Sequence, residues 1–446
     1  MEQKTELTGV VIYANDSRYL QARMNWNPFT NKFPLVFVFA QQEKDVANAV
    51  KWARENHVPI RIRSGRHALA QDFSQSDCGI VIDMGDMQDV KLDKERGIAT
   101  VQTGIRVGAL VRMLAKEGVL APFGDSSTVG IGGITPGGGI TAIQRSVGVI
   151  SDNLIAGTLV DANGEIIHFN ERRNPDLLWA MRGGGGGNFG VATSYTFRIH
   201  PAPDRVGIYQ IIWPWEQIEE VVDAWQKWSP YVDTRLGSIL EVYSKTNGLL
   251  RSQGIFLGSK KELINQLKPL AEVGTPIRVF VDEVSLSEAI DFWAPEEPLF
   301  DDQYTTWSSA WVERTMPEEG IDAIKRFLIK STGSESNFFF LNSGGAMNRV
   351  PPNDTAFFWR NTKYYMEWTS SWTKNYETQR NIVMVERTRR ELVPYTIGSY
   401  VNVPDLALKN YGQEYYGGNF ERLRRIKTKY DPENVFNFAQ SIPPCF

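Results

Sequence analysis

Cysteine is nearly missing from this sequence: Cys78 and Cys445, near opposite ends, are the two in 446 residues. That pattern speaks against a disulfide framework and a cysteine-built metal cluster, and Cys78 reads as a small buried residue before a strand. Histidine is almost as scarce. Four unclustered residues (His57, His67, His168, His200) give no catalytic metal set. There is no basic block, and 48 basic against 52 acidic residues leave a net charge of −4. Nucleic acid and anionic membrane are therefore poor partners. No long hydrophobic run occurs. Residues 34–40 are strand-sized, and the N-terminal MEQKTELTGV lacks a signal-peptide core, so the expected location is the cytoplasm. The phosphate-loop, H-E-x-x-H and G-x-S-x-G patterns are all missing. Residues 185–190 fit G-x-G-x-x-G, but a helical pattern precedes them and a strand follows, the reverse of a dinucleotide fingerprint. No internal repeat is found.

Glycine, by contrast, is concentrated. Residues 124–139 read GDSSTVGIGGITPGGG, with seven glycines in sixteen positions. Glycine brings no side chain to pack and costs conformational entropy, so such a stretch fits a backbone that bends tightly against something flat or phosphorylated. A flexible linker would run to Ser and charge, whereas this stretch holds Val129, Ile131 and Ile134. It predicts a buried loop lining a cofactor.

The length predicts two lobes. In the first, strands are expected over 34–40, 58–63, 80–84 and 99–103. Helices are expected over 43–56 and from 107 to a stop at Gly118. Strands 153–160 and 165–169 form a hairpin on Asn163-Gly164. A short helix over 176–181 precedes an alternating strand over 191–199. Interleaved helices and strands make this lobe α+β. Beyond residue 202, amphipathic helices (215–228, 260–270, 318–331) alternate with aromatic strands. Thirteen Trp, sixteen Tyr and twenty-three Phe, many past residue 200, suggest an aromatic-lined pocket there. Trp307, Trp311, Tyr364 and Trp368 are either pocket lining or core.

Several motifs stand in one order: Arg63-Ser64-Gly65-Arg66-His67, the 124–139 stretch, Ser151-Asp152-Asn153, Trp179 through Gly190, Tyr416 through Leu423, Lys429 through Phe436 and Gln440 through Pro443. Together they resemble the berberine-bridge-enzyme-like branch of the vanillyl-alcohol-oxidase/para-cresol-methylhydroxylase (PCMH) flavoproteins, over the first 200 residues and the last 45. The resemblance implies a PCMH-type FAD-binding lobe of two α+β subdomains (1–202) and a substrate lobe with an antiparallel sheet flanked by helices (203–404). A C-terminal segment (405–446) returns to the FAD lobe. It also implies FAD joined covalently to His67. Many relatives carry a second attachment cysteine where this chain has Ser126, so a single attachment is expected.

Backbone N–H groups from Ser64 to Ala68 can form an anion nest for the pyrophosphate. The resemblance extends the cofactor contacts to Arg63, Gly65, Arg66, Gly124, Asp125, Ser126, Thr128, Val129, Gly132, Gly133, Gly137, Gly138, Gly139, Asn153, Val191, Tyr400 and Asn402. Residues 183–187 serve either the phosphates or packing. Val129 sits at the family's oxygen-gate position, where a small side chain favours an oxidase. Residues 360–368 resemble the strand that presents the active-site acid, and strand alternation puts Tyr365 and Glu367 on one face, Tyr364, Met366 and Trp368 on the other. Glu367 is the candidate base, with Tyr365 and Tyr400 as catalytic partners. Val403 replaces a tyrosine often implicated as the base, and Arg66, Thr141 and Ile134 also depart from the common pattern. The expected activity is an FAD-dependent oxidase acting on an alcohol, sugar, amine or phenol and reducing dioxygen to hydrogen peroxide. The rival readings are a dehydrogenase of the same fold and a flavin-binding coat component.

Overall fold

The structure is a computed structural model that describes residues 4–28, 31–122, 124, 126–299, 303–331, 333 and 335–445. Four strands build the first sheet: β1 (Val10–Tyr13), β2 (Val36–Phe39), β3 (Ile60–Arg63) and β4 (Ile80–Asp83), in the order β1-β2-β4-β3. The last three are parallel, and the runs VFVF and IVID are apolar because β2 and β4 are covered on both faces. Helix Glu43–Glu55 covers one face with Val46, Ala49, Val50 and Ala53.

The second sheet is antiparallel. It takes β5 (Val90–Asp93), β6 (Ile98–Gln102), β8 (Leu154–Val160), β9 (Ile166–Asn170) and β10 (Val191–Arg198), in the order β5-β6-β10-β8-β9. Two short strands, β7 (Val119–Leu120) and β11 (His200–Pro201), pair beside it. The β8–β9 turn is the Asn-Gly hairpin expected above: Asp161 Oδ1 accepts from the Asn163 and Glu165 N–H groups, and Gly164 takes a left-handed φ of +72°.

Seven antiparallel strands form the third sheet: β12 (Arg205–Pro214), β13 (Leu236–Tyr243), β14 (Leu249–Phe256), β15 (Arg278–Ser285), β16 (Tyr304–Val312), β17 (Asn337–Asn342) and β18 (Tyr364–Trp372). Their order is β15-β12-β14-β13-β17-β18-β16. Helices Ile218–Trp228, Lys260–Ala271, Glu318–Lys330 and Thr378–Leu392 pack on one face, against Trp213, Leu240, Phe340, Tyr364 and Trp368. The other face looks toward the first two sheets, and one hydrophobic core runs across from Val101 and Tyr195 to Ile208, Ile239, Trp311 and Tyr365. The architecture is α+β.

Past residue 404 the chain folds back on the first lobe through helix Phe420–Tyr430. Tyr430 and Lys429 bond Asp176, and Lys427 reaches the Asn188 carbonyl. One sequence expectation changes. Cys78 is exposed and adopts φ +54°, so it is a turn residue and not a buried one. Strand β1 and helix Thr378–Leu392 were not anticipated. The packing face of that helix reads Asn381, Val385, Thr388, Leu392, so two polar residues break its apolar stripe. Among the described residues, no helix is long and apolar enough to cross a membrane.

Candidate flavin site

Between the first lobe and the inner face of the seven-stranded sheet lies a cavity of about 1180 Å³. Its first wall begins where β3 ends. Arg63 Nε donates to Asp83 Oδ2 at 2.6 Å and Arg66 Nε to the same oxygen at 3.1 Å, so one buried carboxylate fixes both ends of the turn. Burial pulls the Arg63 guanidinium down to about 10 against the pull of Asp83. Arg66 holds a left-handed φ of +61°, and its carbonyl accepts from Trp26 N. Among the described residues, none of the N–H groups from Ser64 to Ala68 donates to a backbone carbonyl, and all five residues line the cavity.

The glycines divide into two groups. Gly65 and Gly130 press back to back: a Cβ on Gly65 would lie 2.3 Å from Gly130 N, and one on Gly130 2.2 Å from Gly65 N. A Cβ on Gly133, by contrast, would meet nothing within 4 Å, and one on Gly186 nothing nearer than 3.6 Å. Both residues line the cavity, as do Gly132, Gly185 and Gly187, so bare backbone faces an open cradle. The cradle and the unclaimed N–H groups suit a flat ring and a phosphate.

Gly137, Gly138 and Gly139 do not line the cavity. A Cβ on each would strike the Asn402 amide at 1.9 Å, Phe357 at 2.5 Å or Ile150 at 2.7 Å, so their smallness serves contacts within the chain. Gly183 and Gly184 likewise pack, against Phe357 and the Ala180 carbonyl.

His67 lies on the cavity wall with its ring stacked on Trp26, centroids 4.5 Å apart. Burial, with Arg106 acting in the same direction, lowers its pKa to about 4 against its own backbone hydrogen bond. The imidazole is therefore neutral at pH 7 and keeps a nucleophilic lone pair. Ser126 and Val129 line the same wall. Thr128 is buried beside them and Gly124 packs toward Ile134, while Asp125 lies outside the described residues.

Asn153 stands away from the cavity: its amide donates to the Val147 and Val149 carbonyls and its Oδ1 pairs with His200 Nε2 at 2.8 Å. Val191 is core, although its neighbours Gly190 and Ala192 line the cavity. Tyr400 ties the walls together. Its phenol oxygen accepts from Gly139 N at 2.9 Å, Ile140 N at 3.2 Å and Asn402 Nδ2 at 2.8 Å.

On the second wall Glu367 faces the cavity and Tyr365 stands behind it, donating its hydroxyl to Glu367 Oε2 at 2.6 Å. Burial, then the Glu367 carboxylate, push the Tyr365 phenol well above its ordinary pKa. Tyr365 thus stays a donor, and Glu367 is the member of the pair able to take a proton. Trp307 lines the cavity. Trp311 is core next to Tyr365 and Tyr400, and Tyr364 and Trp368 belong to the helix-covered face.

Sequence reasoning missed a polar patch on the same wall. Arg251 Nε donates to Glu241 Oε2 at 2.7 Å and Nη2 to Tyr243 Oη at 2.7 Å, while Tyr243 donates to Glu241 Oε1 at 2.9 Å. Gln210 and Gln253 continue the patch. Isolated polar residues at every second position of otherwise apolar strands were the available signal. Trp26 and Glu297 sit in loops and carried none.

The family described as "FAD binding domain" matches residues 34–170, and the one described as "Berberine and berberine like" matches residues 399–443. Together they define an FAD-linked oxidoreductase. The chain is similar to the uncharacterized FAD-linked oxidoreductase YvdP of Bacillus subtilis (strain 168), with 57% identity over 99% of each chain. Berberine bridge enzyme-like 3 of Arabidopsis thaliana is 30% identical over 99% of this chain and 88% of its own. Among solved structures, Physcomitrella patens BBE-like 1 superposes with a TM-score of 0.92 at 28% identity, over 98% of this chain and 97% of its own. The chain belongs to the berberine-bridge-enzyme-like FAD-linked oxidoreductases.

The cradle yields a direct prediction. A Cβ on Gly133 meets nothing within 4 Å outside its own helix, so Gly133→Val projects into the open cavity. FAD affinity should fall by at least about tenfold, the equivalent of about 1.4 kcal/mol, with the thermal midpoint of the flavin-free protein unchanged. Fluorescence titration with FAD and a melting curve check both parts.

Proposed function

We propose that this protein is an FAD-linked oxidase that takes hydride from a small alcohol, sugar, amine or phenol and passes the electrons to dioxygen, with its flavin joined to His67 alone. The observation that carries the reading is the cavity itself: His67 and a bare glycine cradle on one wall face Glu367 and Trp307 on the other. Bound FAD supplies the hydride acceptor and the electrons that turn dioxygen into hydrogen peroxide.

The chain's residues do the rest. Glu367 takes the substrate's O–H or N–H proton, and Tyr365 holds that carboxylate in place by its short hydrogen bond. Tyr400 holds the Gly139 and Ile140 N–H groups, and Asn402 donates to the Tyr400 hydroxyl and the Ile134 carbonyl. N–H groups of residues 64–68 hold phosphate, and Trp307 with the Arg251–Glu241–Tyr243 patch receives the substrate. Val129 keeps the flavin side of the pocket narrow in side-chain bulk, leaving dioxygen room. Ser126 has no thiol, which limits attachment to one bond.

Denaturation in acid tests the attachment. Flavin should precipitate with the wild-type chain and stay in solution with His67→Ala. Flavin that washes from the wild type would refute the link. Reoxidation of the reduced protein by air tests the oxidase reading, since slow reoxidation would assign the protein to the dehydrogenases of this fold.

A further inference from the structure

The turn that opens the cavity carries more positive charge than the fold itself uses. Arg63, Arg66 and Arg106 gather around one carboxylate, the fully buried Asp83. Arg63 is committed to the fold: Nε donates to Asp83, Nη2 donates to the Ala22 carbonyl at 2.5 Å, and the side chain is buried. Arg106 pairs with Gly130 through the backbone, and Gly130 presses on Gly65, so this residue stands beside the same turn. Burial lowers the Arg106 pKa, and the Arg66 charge lowers it further, against Asp83. Three guanidiniums facing one carboxylate leave positive charge uncompensated within the group.

Arg66 is the member with donors to spare. Its Nε donates to Asp83 Oδ2 at 3.1 Å, and the N–H groups on its two terminal nitrogens make no hydrogen bond to another described residue. The side chain lines the cavity and is 20% exposed, with the Phe39 ring 5.2 Å from Cζ. Its φ of +61° is one that glycine adopts freely and other residues adopt at a cost. Strain of that kind gathers at ligand sites. The backbone N–H groups of residues 64–68 offer dipoles but no net charge. A diphosphate leaving water needs cations as well as donors, and a planar guanidinium fits phosphate oxygens in pairs.

We propose that the Arg66 side chain is the charge partner of the FAD diphosphate, oriented by Asp83 and reinforced by the field of Arg106; the inference rests on the placement of the phosphates at the 64–68 turn proposed above. Asp83 grips Nε and so leaves both terminal nitrogens for the ligand. The departure from the glycine common at this position is then functional: the chain accepts a strained backbone in exchange for a cation at the cofactor.

The test is flavin affinity by fluorescence titration at low and high salt, on the His67→Ala chain so that flavin stays exchangeable. FAD is compared with riboflavin, which has the same ring and no phosphate. Arg66→Gly should weaken FAD binding at least about tenfold at low salt, flatten its salt dependence and leave riboflavin affinity unchanged. Glycine suits the φ of +61°, so this change puts no strain on the turn. Arg66→Lys keeps the charge without the planar fork and should regain part of the loss. FAD affinity in Arg66→Gly equal to that of its parent overturns the assignment. So does an equal loss for FAD and riboflavin, the mark of a side chain that only braces the turn. A parent chain that binds FAD no more tightly than riboflavin at either salt would instead put the diphosphate away from residues 64–68. That arm needs no Arg66 variant, and it removes the placement beneath the inference.

Discussion

Glu367→Gln slows substrate oxidation by about a hundred- to ten-thousandfold and leaves FAD bound. The amide keeps the size and the hydrogen bond from Tyr365 but cannot take a proton at the rate-determining moment. Tyr365 cannot stand in, because burial and the neighbouring carboxylate hold its phenol far above the neutral range. Val403, at the position where many relatives carry a tyrosine, has no titratable group to offer. The measurement is anaerobic bleaching of the flavin on mixing with substrate, which isolates hydride transfer from the oxygen step. Bleaching within about threefold of wild type would show that another group carries the proton.

The second large effect is on stability. Lys427→Met should destabilise the fold by about 3–5 kcal/mol. Lys427 and Asp431 are both fully buried, their charges 2.7 Å apart. Lys427 Nζ also donates to the Asn188 carbonyl at 2.7 Å and the Phe436 carbonyl at 2.8 Å. Asp431 accepts from the Val435 and Phe436 N–H groups at 2.7 and 2.9 Å. Removing the ammonium strands a carboxylate in the core, and it also frees the Asn188 segment that lines the cavity. The double variant Lys427→Met/Asp431→Leu strands no charge and should recover part of the loss. Denaturant unfolding compares the three proteins. A single variant as stable as the wild type, or a double variant less stable than the single, would contradict this account of the pair.

Much of the fold was legible because it is dictated locally. Asn163-Gly164 specifies a hairpin, the 43–56 periodicity a helix, and the apolar runs at 34–40 and 80–84 strands. Period-two alternation along β18 separated Glu367 and Tyr365 from Tyr364 and Trp368, and the structure keeps that division. The 124–139 stretch announced close backbone approach but not to what. A sequence cannot tell Gly133, which opens on the cavity, from Gly137, which makes room for Asn402. The Arg251–Glu241–Tyr243 triangle and the Ser126–Glu297 contact were illegible for a different reason. Each joins residues from separate strands or loops, and only the register of β13 on β14, or the placement of the 294–299 segment, brings them together.

The most direct measurement is a crystal structure of the FAD-loaded protein. The account predicts the flavin ring in the cavity between the Gly133–Gly186 cradle and Glu367, its methyl edge at His67 and its phosphates on the 64–68 backbone. A ring bound elsewhere, or one with its methyl edge turned away from His67, would contradict it.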